Sequence, residues 1–196
     1  MIYLKKFKII QQTYASNVIP VGTEFELSDV NLLVGNQGCG KSTLLKMIQQ
    51  NHSDIHVELT EDTIKNGVST FFFDSEKDNP RMKDPQCYAD LNGNNIGIGY
   101  GNALNSRFKS HGEVIQQYTI DALKTAKNSV LLIDEPESGL SITNQFKLIK
   151  GIKKAVENGC QFFIATHCYP LIQEFDVISL EHLEKFSGND FINKVK

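Results

Sequence analysis

The chain has 196 residues, a formal net charge of −3, 40 % hydrophobic residues and 22 % charged ones. That balance suits one domain with a sizeable core and argues against broad electrostatic capture of nucleic acid. Its apolar runs are far shorter than the roughly 20 residues a helix needs to span a bilayer, and the N-terminus lacks a signal-type apolar stretch, so a cytoplasmic protein without a membrane segment is expected. The four cysteines, Cys39, Cys87, Cys160 and Cys168, contain no C-x-x-C pair and read as reduced thiols.

Residues 1–10, with Ile2, Leu4, Phe7 and Ile9 at loose strand spacing, read as a strand. Residues 13–20 read as a loop, 24–27 as a short strand, 28–29 as a turn and 31–34 as a buried strand. That last strand feeds Gly35-Asn36-Gln37-Gly38-Cys39-Gly40-Lys41-Ser42, and Thr43-Leu44-Leu45-Lys46-Met47-Ile48 continues as a helix. The spacing G-x-x-x-x-G-K-S lets an uncrowded backbone turn the N–H groups of Asn36, Gln37, Gly38, Cys39 and Gly40 inward around a chain of phosphates, at the positive end of the helix. Lys41 would then reach the β- and γ-phosphates, Ser42 would ligate Mg²⁺, and Thr43 would lie close to the α-phosphate. Tyr14 reads either as an adenine-stacking residue or as an ordinary surface or core tyrosine.

Residues 51–65 are polar, and Val68-Ser69-Thr70-Phe71-Phe72-Phe73 then reads as a strand ending at Asp74. At a strand end that faces a ligand crevice, Asp74 or Glu76 would touch Mg²⁺ or the attacking water; the competing reading is an ordinary turn running to Pro80. Residues 88–105, rich in Gly and Asn, read as a loop or hairpin. Ser110-His111-Gly112-Glu113 opens a helix whose Val114, Ile115, Tyr118, Ala122 and Leu123 share one face. S-x-x-E at that point is a capping box. A serine hydroxyl and a glycine backbone at a helix N-terminus also form an anion site for a phosphate brought from elsewhere.

Residues 130–133 are unbrokenly apolar, the pattern of a strand buried on both faces, and Asp134 and Glu135 put charge at the mouth of the sheet. Asp134 would hold Mg²⁺ through water, and Glu135 would polarise the attacking water as general base. Ser141 would cap a helix with Ile142, Phe146, Ile149 and Val156 as its core stripe, stopped by Asn158-Gly159. Strand 161–166 ends in His167, which reads either as a structural histidine or as one that would hydrogen-bond a γ-phosphate. Residues 177–180 read as a last edge strand, and the tail from Glu181 as polar and featureless.

Taken in order, these blocks resemble an ABC-type ATPase of the transporter-unlinked kind often described as AAA-family ATPases. Residues 35–42 match its Walker A motif, 110–113 the S-H-G-E form of its signature motif, and 130–135 its Walker B motif with the catalytic glutamate. Residues 138–141 resemble the D-loop, and His167 matches the switch histidine. The resemblance covers nearly the whole chain. It implies a single α/β domain, 1–196, of P-loop NTPase type: a mainly parallel central sheet with flanking helices, an N-terminal antiparallel β portion and a reduced inserted subdomain at about 50–109. His111, Glu113 and Lys109 replace the first glycine, the glutamine and the leucine of the commonest L-S-G-G-Q signature, which weakens any transporter assignment. The Q-loop glutamine has no evident equivalent: Asp74 or Glu76 fits by strand position, Gln86 by distance from Lys41.

The expected function is Mg-dependent ATP binding and hydrolysis, with ATP and Mg²⁺ as cofactors. The chain would pair head-to-tail with a second copy or another ATPase subunit. Ser42 and Asp134 would hold the metal, Glu135 and His167 would be catalytic, and Ser110, His111, Gly112 and Glu113 would face the other protomer's nucleotide. Two other classes stay open. One is a nucleotide-gated interaction module with little turnover that controls a separate effector protein; the other is a P-loop kinase, which shares 35–42 but has no need of Glu135, Ser110 or His167.

Overall fold

The computed structural model describes residues 2–11, 19–74, 123 and 126–196. Three strands have every residue buried: β3 (Val30–Val34), β6 (Ser129–Asp134) and β7 (Gln161–Ala165). Such strands read as continuous apolar runs because both faces of a parallel sheet are covered. Together with β5 (Ser69–Asp74), β8 (Asp176–Ser179) and β9 (Glu184–Phe186) they form one sheet in the order β5-β6-β7-β3-β8-β9. All its pairings are parallel except β8–β9. A second, antiparallel sheet has the order β2-β1-β4, from β1 (Leu4–Ile9), β2 (Glu24–Glu26) and β4 (Ile55–Leu59).

Alternation along the buried strands sorts the core into two layers. Leu33, Val130, Leu132, Phe163, Ala165 and Ile178 face α1 (Lys41–Gln50) and the antiparallel sheet, meeting Leu44, Leu45, Phe7 and Ile9. Their neighbours Leu32, Val34, Leu131, Ile133, Phe162 and Ile164 face the opposite way, against Leu148 and Ile152 of α3 (Ile142–Glu157) and Leu171 of α4 (Tyr169–Glu174). No helix among the described residues is long and apolar enough to cross a membrane.

Four local readings change. The polar stretch 51–65 contains β4 and a short helix, α2 (Glu61–Asn66). Strand β4 hides from an apolar pattern because only Ile55 is fully buried, while His56, Glu58 and Leu59 point to solvent; one-sided antiparallel strands carry such polar faces. Strand β8 is not at the edge, since β9 pairs beyond it and α5 (Gly188–Val195) follows, with the Ser187 side chain accepting from Asp190 N–H at its N-cap. In α3 the buried face is Leu148, Ile149, Ile152 and Ala155. Ile142 and Phe146 are 62 % and 52 % exposed, because the inward direction centres on Ile152, roughly a quarter turn from the stripe that includes them. Ser141 stands at the N-cap of α3, but its hydroxyl makes no capping bond; its carbonyl accepts from Asn144 and Gln145 N–H instead.

One buried side chain ties the start of the antiparallel sheet to the main sheet by hydrogen bonds to backbone on both sides. Gln161, fully buried, accepts from Tyr3 N–H (3.0 Å) and Leu4 N–H (2.9 Å) through Oε1 and donates through Nε2 to Leu4 O (2.9 Å) and Ser28 O (3.0 Å). It acts where the β1–β4 ladder slips between Leu4 and Lys6. Gln161→Leu keeps much of the volume but strands these backbone groups, and each buried orphan costs about 1–3 kcal/mol. Urea unfolding should show a loss of at least about 2 kcal/mol.

Candidate functional site

Because β3, β6 and β7 run in parallel as neighbours, their C-terminal ends open onto one edge. The loop 35–40 leaves β3 there, Asp134 ends β6 with Glu135 next, and His167 follows β7. The sheet topology therefore gathers three of the predicted blocks, which lie far apart in sequence.

The loop is shaped by its glycines. Gly40 is the N-cap of α1 with φ +91°, a conformation that side chains disfavour, and it leaves the first helical N–H groups without a side-chain cap. A Cβ on Gly35 would come within 2.7 Å of Cys39 Sγ, so another residue there would have to push that thiol aside at a φ of +151°, which side chains rarely adopt. Lys41 is 6 % exposed, and its ammonium lies inside the arch, donating to Gly35 O (3.0 Å) and Asn36 O (3.1 Å). Asn36 N–H is engaged elsewhere: it donates to Glu181 Oε1 at 2.8 Å. Of the loop amides assigned to phosphate, this one and Cys39 N–H, which donates to Asn36 O (3.2 Å), are thus held by the protein itself.

Asp134 is 9 % exposed, and its Oδ1 is buried without a hydrogen-bond partner. Burial pushes its carboxyl above the ordinary value; the charge of Asp74 adds to that, while the Ser42 hydroxyl bonded to it, Lys46 and Lys41 oppose it. Asp74 ends β5 directly beside it in register. A hydroxyl and an orphaned carboxylate oxygen are hard oxygen donors, so Ser42 and Asp134 fit a magnesium ion. Glu76, Gln86, Tyr14 and the block Ser110, His111, Gly112 and Glu113 lie outside the described residues.

Glu135 has φ +47°, a left-handed conformation that is strained for a residue with a side chain. It is held by Glu135 N–H donating to Ala165 O (2.9 Å) and by Ser138 N–H donating to Glu135 O (3.0 Å). The chain thereby turns sharply out of β6, with Pro136 buried under the turn. His167 is exposed, and its backbone N–H donates to Glu137 Oε1 at 2.8 Å.

Two residues at this edge were missed in the sequence. Glu137 carries no role in the sequence reading, yet its Oε1 also accepts from Thr166 Oγ1 at 2.7 Å, and its Oε2 is buried without a partner. Glu181 lies in the apparently featureless tail, and only the end of β8 brings it to the phosphate loop. No local pattern would have marked either.

A scan against protein-family models finds no match, and a search of curated proteins finds none. Among solved structures, the chain is similar to cbiO1 from Clostridium perfringens, part of the ABC transporter complex cbiONQ. The TM-score is 0.60 at 14 % identity, over 99 % of this chain and 92 % of that one. It is also similar to a bacterial Atm1-family ABC exporter with ATP bound: TM-score 0.61, 15 % identity, 99 % of this chain but 41 % of the exporter. The fold is that of ABC-type ATPase domains.

Burial also raises the Glu137 carboxyl above the ordinary glutamate value, against the bonds from Thr166 and His167 N–H. With the folded-state value above the unfolded one, the folded protein holds the extra proton between the two. The group's contribution to stability is therefore most favourable below the unfolded value and is lost as pH rises through the folded one. Glu137→Gln does not titrate. Its stability relative to wild type should rise as the pH is taken upward from the ordinary glutamate range, measured by urea unfolding at each pH.

Proposed function

We propose that the chain binds Mg-ATP at the loop between β3 and α1 and hydrolyses it, water being the nucleophile. The observation that carries this reading is the orphaned Oδ1 of Asp134 beside the Ser42 hydroxyl, at the same sheet edge as the phosphate loop, Glu135 and His167. Magnesium supplies charge neutralisation on the β- and γ-phosphates. The α1 N-terminus and the remaining loop N–H groups bind the phosphate chain, and Lys41 moves from the loop carbonyls onto the β/γ oxygens. Ser42 and Asp134 hold the metal. Glu135 accepts the proton of the attacking water, and His167 donates to the γ-phosphate. The exporter of similar fold was solved with ATP bound, which supports ATP as the nucleotide. Pairing of two chains head-to-tail, with Ser110, His111, Gly112 and Glu113 of one facing the nucleotide of the other, completes the reading.

Lys41→Ala removes the mobile cation, so calorimetry should show a sharp loss of Mg-ATP affinity in a protein with unchanged far-UV circular dichroism. Glu135→Gln should bind normally and lose about 10²–10⁴-fold in phosphate release. Unchanged affinity in the first variant, or unchanged turnover in the second, removes that residue from its role. A wild type that binds Mg-ATP without releasing phosphate would leave a nucleotide-gated module.

Pairing is read by light scattering on Glu135→Gln. Mg-ATP should convert monomer to dimer, and adding Ser110→Arg should abolish the dimer while nucleotide still binds. A monomer throughout sinks the homodimer; a dimer indifferent to both changes places the interface elsewhere.

A further inference from the structure

We infer that Glu137 is the positioning residue for His167, fixing through its reach, and not its charge, where the histidine stands relative to Glu135. The inference rests on the roles proposed above for Glu135 and His167.

The ladder between β6 and β7 runs out at Asp134 and Ala165. Beyond it the two loops would diverge, yet two bonds continue the connection. Glu135 N–H donates to Ala165 O at 2.9 Å, and two residues further along each loop Glu137 Oε1 receives His167 N–H at 2.8 Å. The same oxygen receives the Thr166 hydroxyl at 2.7 Å, and that hydroxyl accepts Cys168 N–H at 2.9 Å. Residues 166, 167 and 168 are thus all tied, directly or through Thr166, to one carboxylate on the turn that carries Glu135. The imidazole of His167 is exposed, so its backbone anchor is what locates it.

The distribution of contacts on Glu137 separates reach from charge. Both donors converge on Oε1, while Oε2 is buried with no partner, and no cation makes an ion pair with Glu137 among the described residues. A buried carboxylate without a counter-charge costs stability. A glutamine has one carbonyl oxygen at the same reach and can take both donors without that cost. An aspartate keeps the charge but draws the acceptor back by one methylene, away from His167 N–H.

The test measures phosphate release and, by calorimetry, Mg-ATP affinity for wild type, Glu137→Gln, Glu137→Asp, Glu137→Leu and His167→Ala, and for Glu137→Asp and Glu137→Leu each combined with His167→Ala. Losing a donor to the transition state costs about 10²–10³-fold, the loss expected of His167→Ala. Glu137→Gln should stay within about threefold of wild type, whereas Glu137→Asp and Glu137→Leu should lose about tenfold or more with affinity unchanged. In the His167→Ala background the Asp and Leu changes should cost less than about twofold, because coupled residues are not additive. Should Glu137→Leu fail to fold, Glu137→Asp and its double variant carry the same comparison. Additive losses, an active aspartate variant beside an inactive glutamine one, or a rate loss matched by lost affinity would each overturn the inference while leaving the hydrolysis proposal standing. A wild type that binds Mg-ATP but releases no phosphate overturns both.

Discussion

The parallel alignment of β3, β6 and β7 is the constraint on which everything at the site depends. Each strand is buried on both faces, so each needs a covering layer above and below, and the layers are supplied by α1 with the antiparallel sheet on one side and by α3 and α4 on the other. Parallel pairing then forces every strand to end at the same edge. At that edge the chain turns polar: Asp134 is the last residue of β6, and Glu135, His167 and the loop 35–40 follow the strand ends. Backbone ladder bonds stop there too, leaving loop amides, a helix N-terminus and carboxylates facing one another.

The two ends of these strands treat buried polar groups differently. At the N-terminal end, Asn31 donates to Ser28 O and Phe162 O and accepts Ser28 N–H, and Gln161 uses both ends of its amide. At the C-terminal end, Asp134 Oδ1 and Glu137 Oε2 are buried and unmatched, and Glu135 sits in a strained backbone conformation. Asp54 Oδ2, which also lacks a hydrogen bond, lies 2.8 Å from His52 Nδ1 as a potential ion pair. Two of the three unmatched buried side-chain atoms among the described residues therefore lie where ligand chemistry is proposed, while the opposite end holds the two sheets together. Proteins depart from full local satisfaction at functional sites and compensate elsewhere.

What the sequence reveals follows the same division. The strand–loop–helix unit around residues 35–42 was legible because its glycine placement acts within a few consecutive residues, and the backbone conformation it needs is local. The apolar run before Asp134 was legible for a similar reason: burial on both faces removes all polar alternation. Strand β4 was not, because its partner β1 lies far away in sequence and its exposed face carries His56 and Glu58. The inward face of α3 was misjudged because several phases of the helix offer apolar residues, and only the docked sheet decides among them. Glu137 and Glu181 act on His167 and Asn36, about thirty residues away in one case and far beyond that in the other, and tertiary contacts of that kind leave no local mark.

This also accounts for a shared fold at 14–15 % identity. The layers ask only that inward positions be apolar and of suitable volume, a demand many sequences meet. Side chains such as Phe162 and Phe163 answer it by size and hydrophobicity, with no chemistry specific to a ligand. On the proposed function, strict requirements would fall on a few strand-end positions: a glycine where φ is positive, an oxygen donor at the end of β6, and an acceptor joining the loops after β6 and β7. A fold can thus persist through near-complete replacement of its interior, while the chemistry it supports is decided by the handful of residues at one edge.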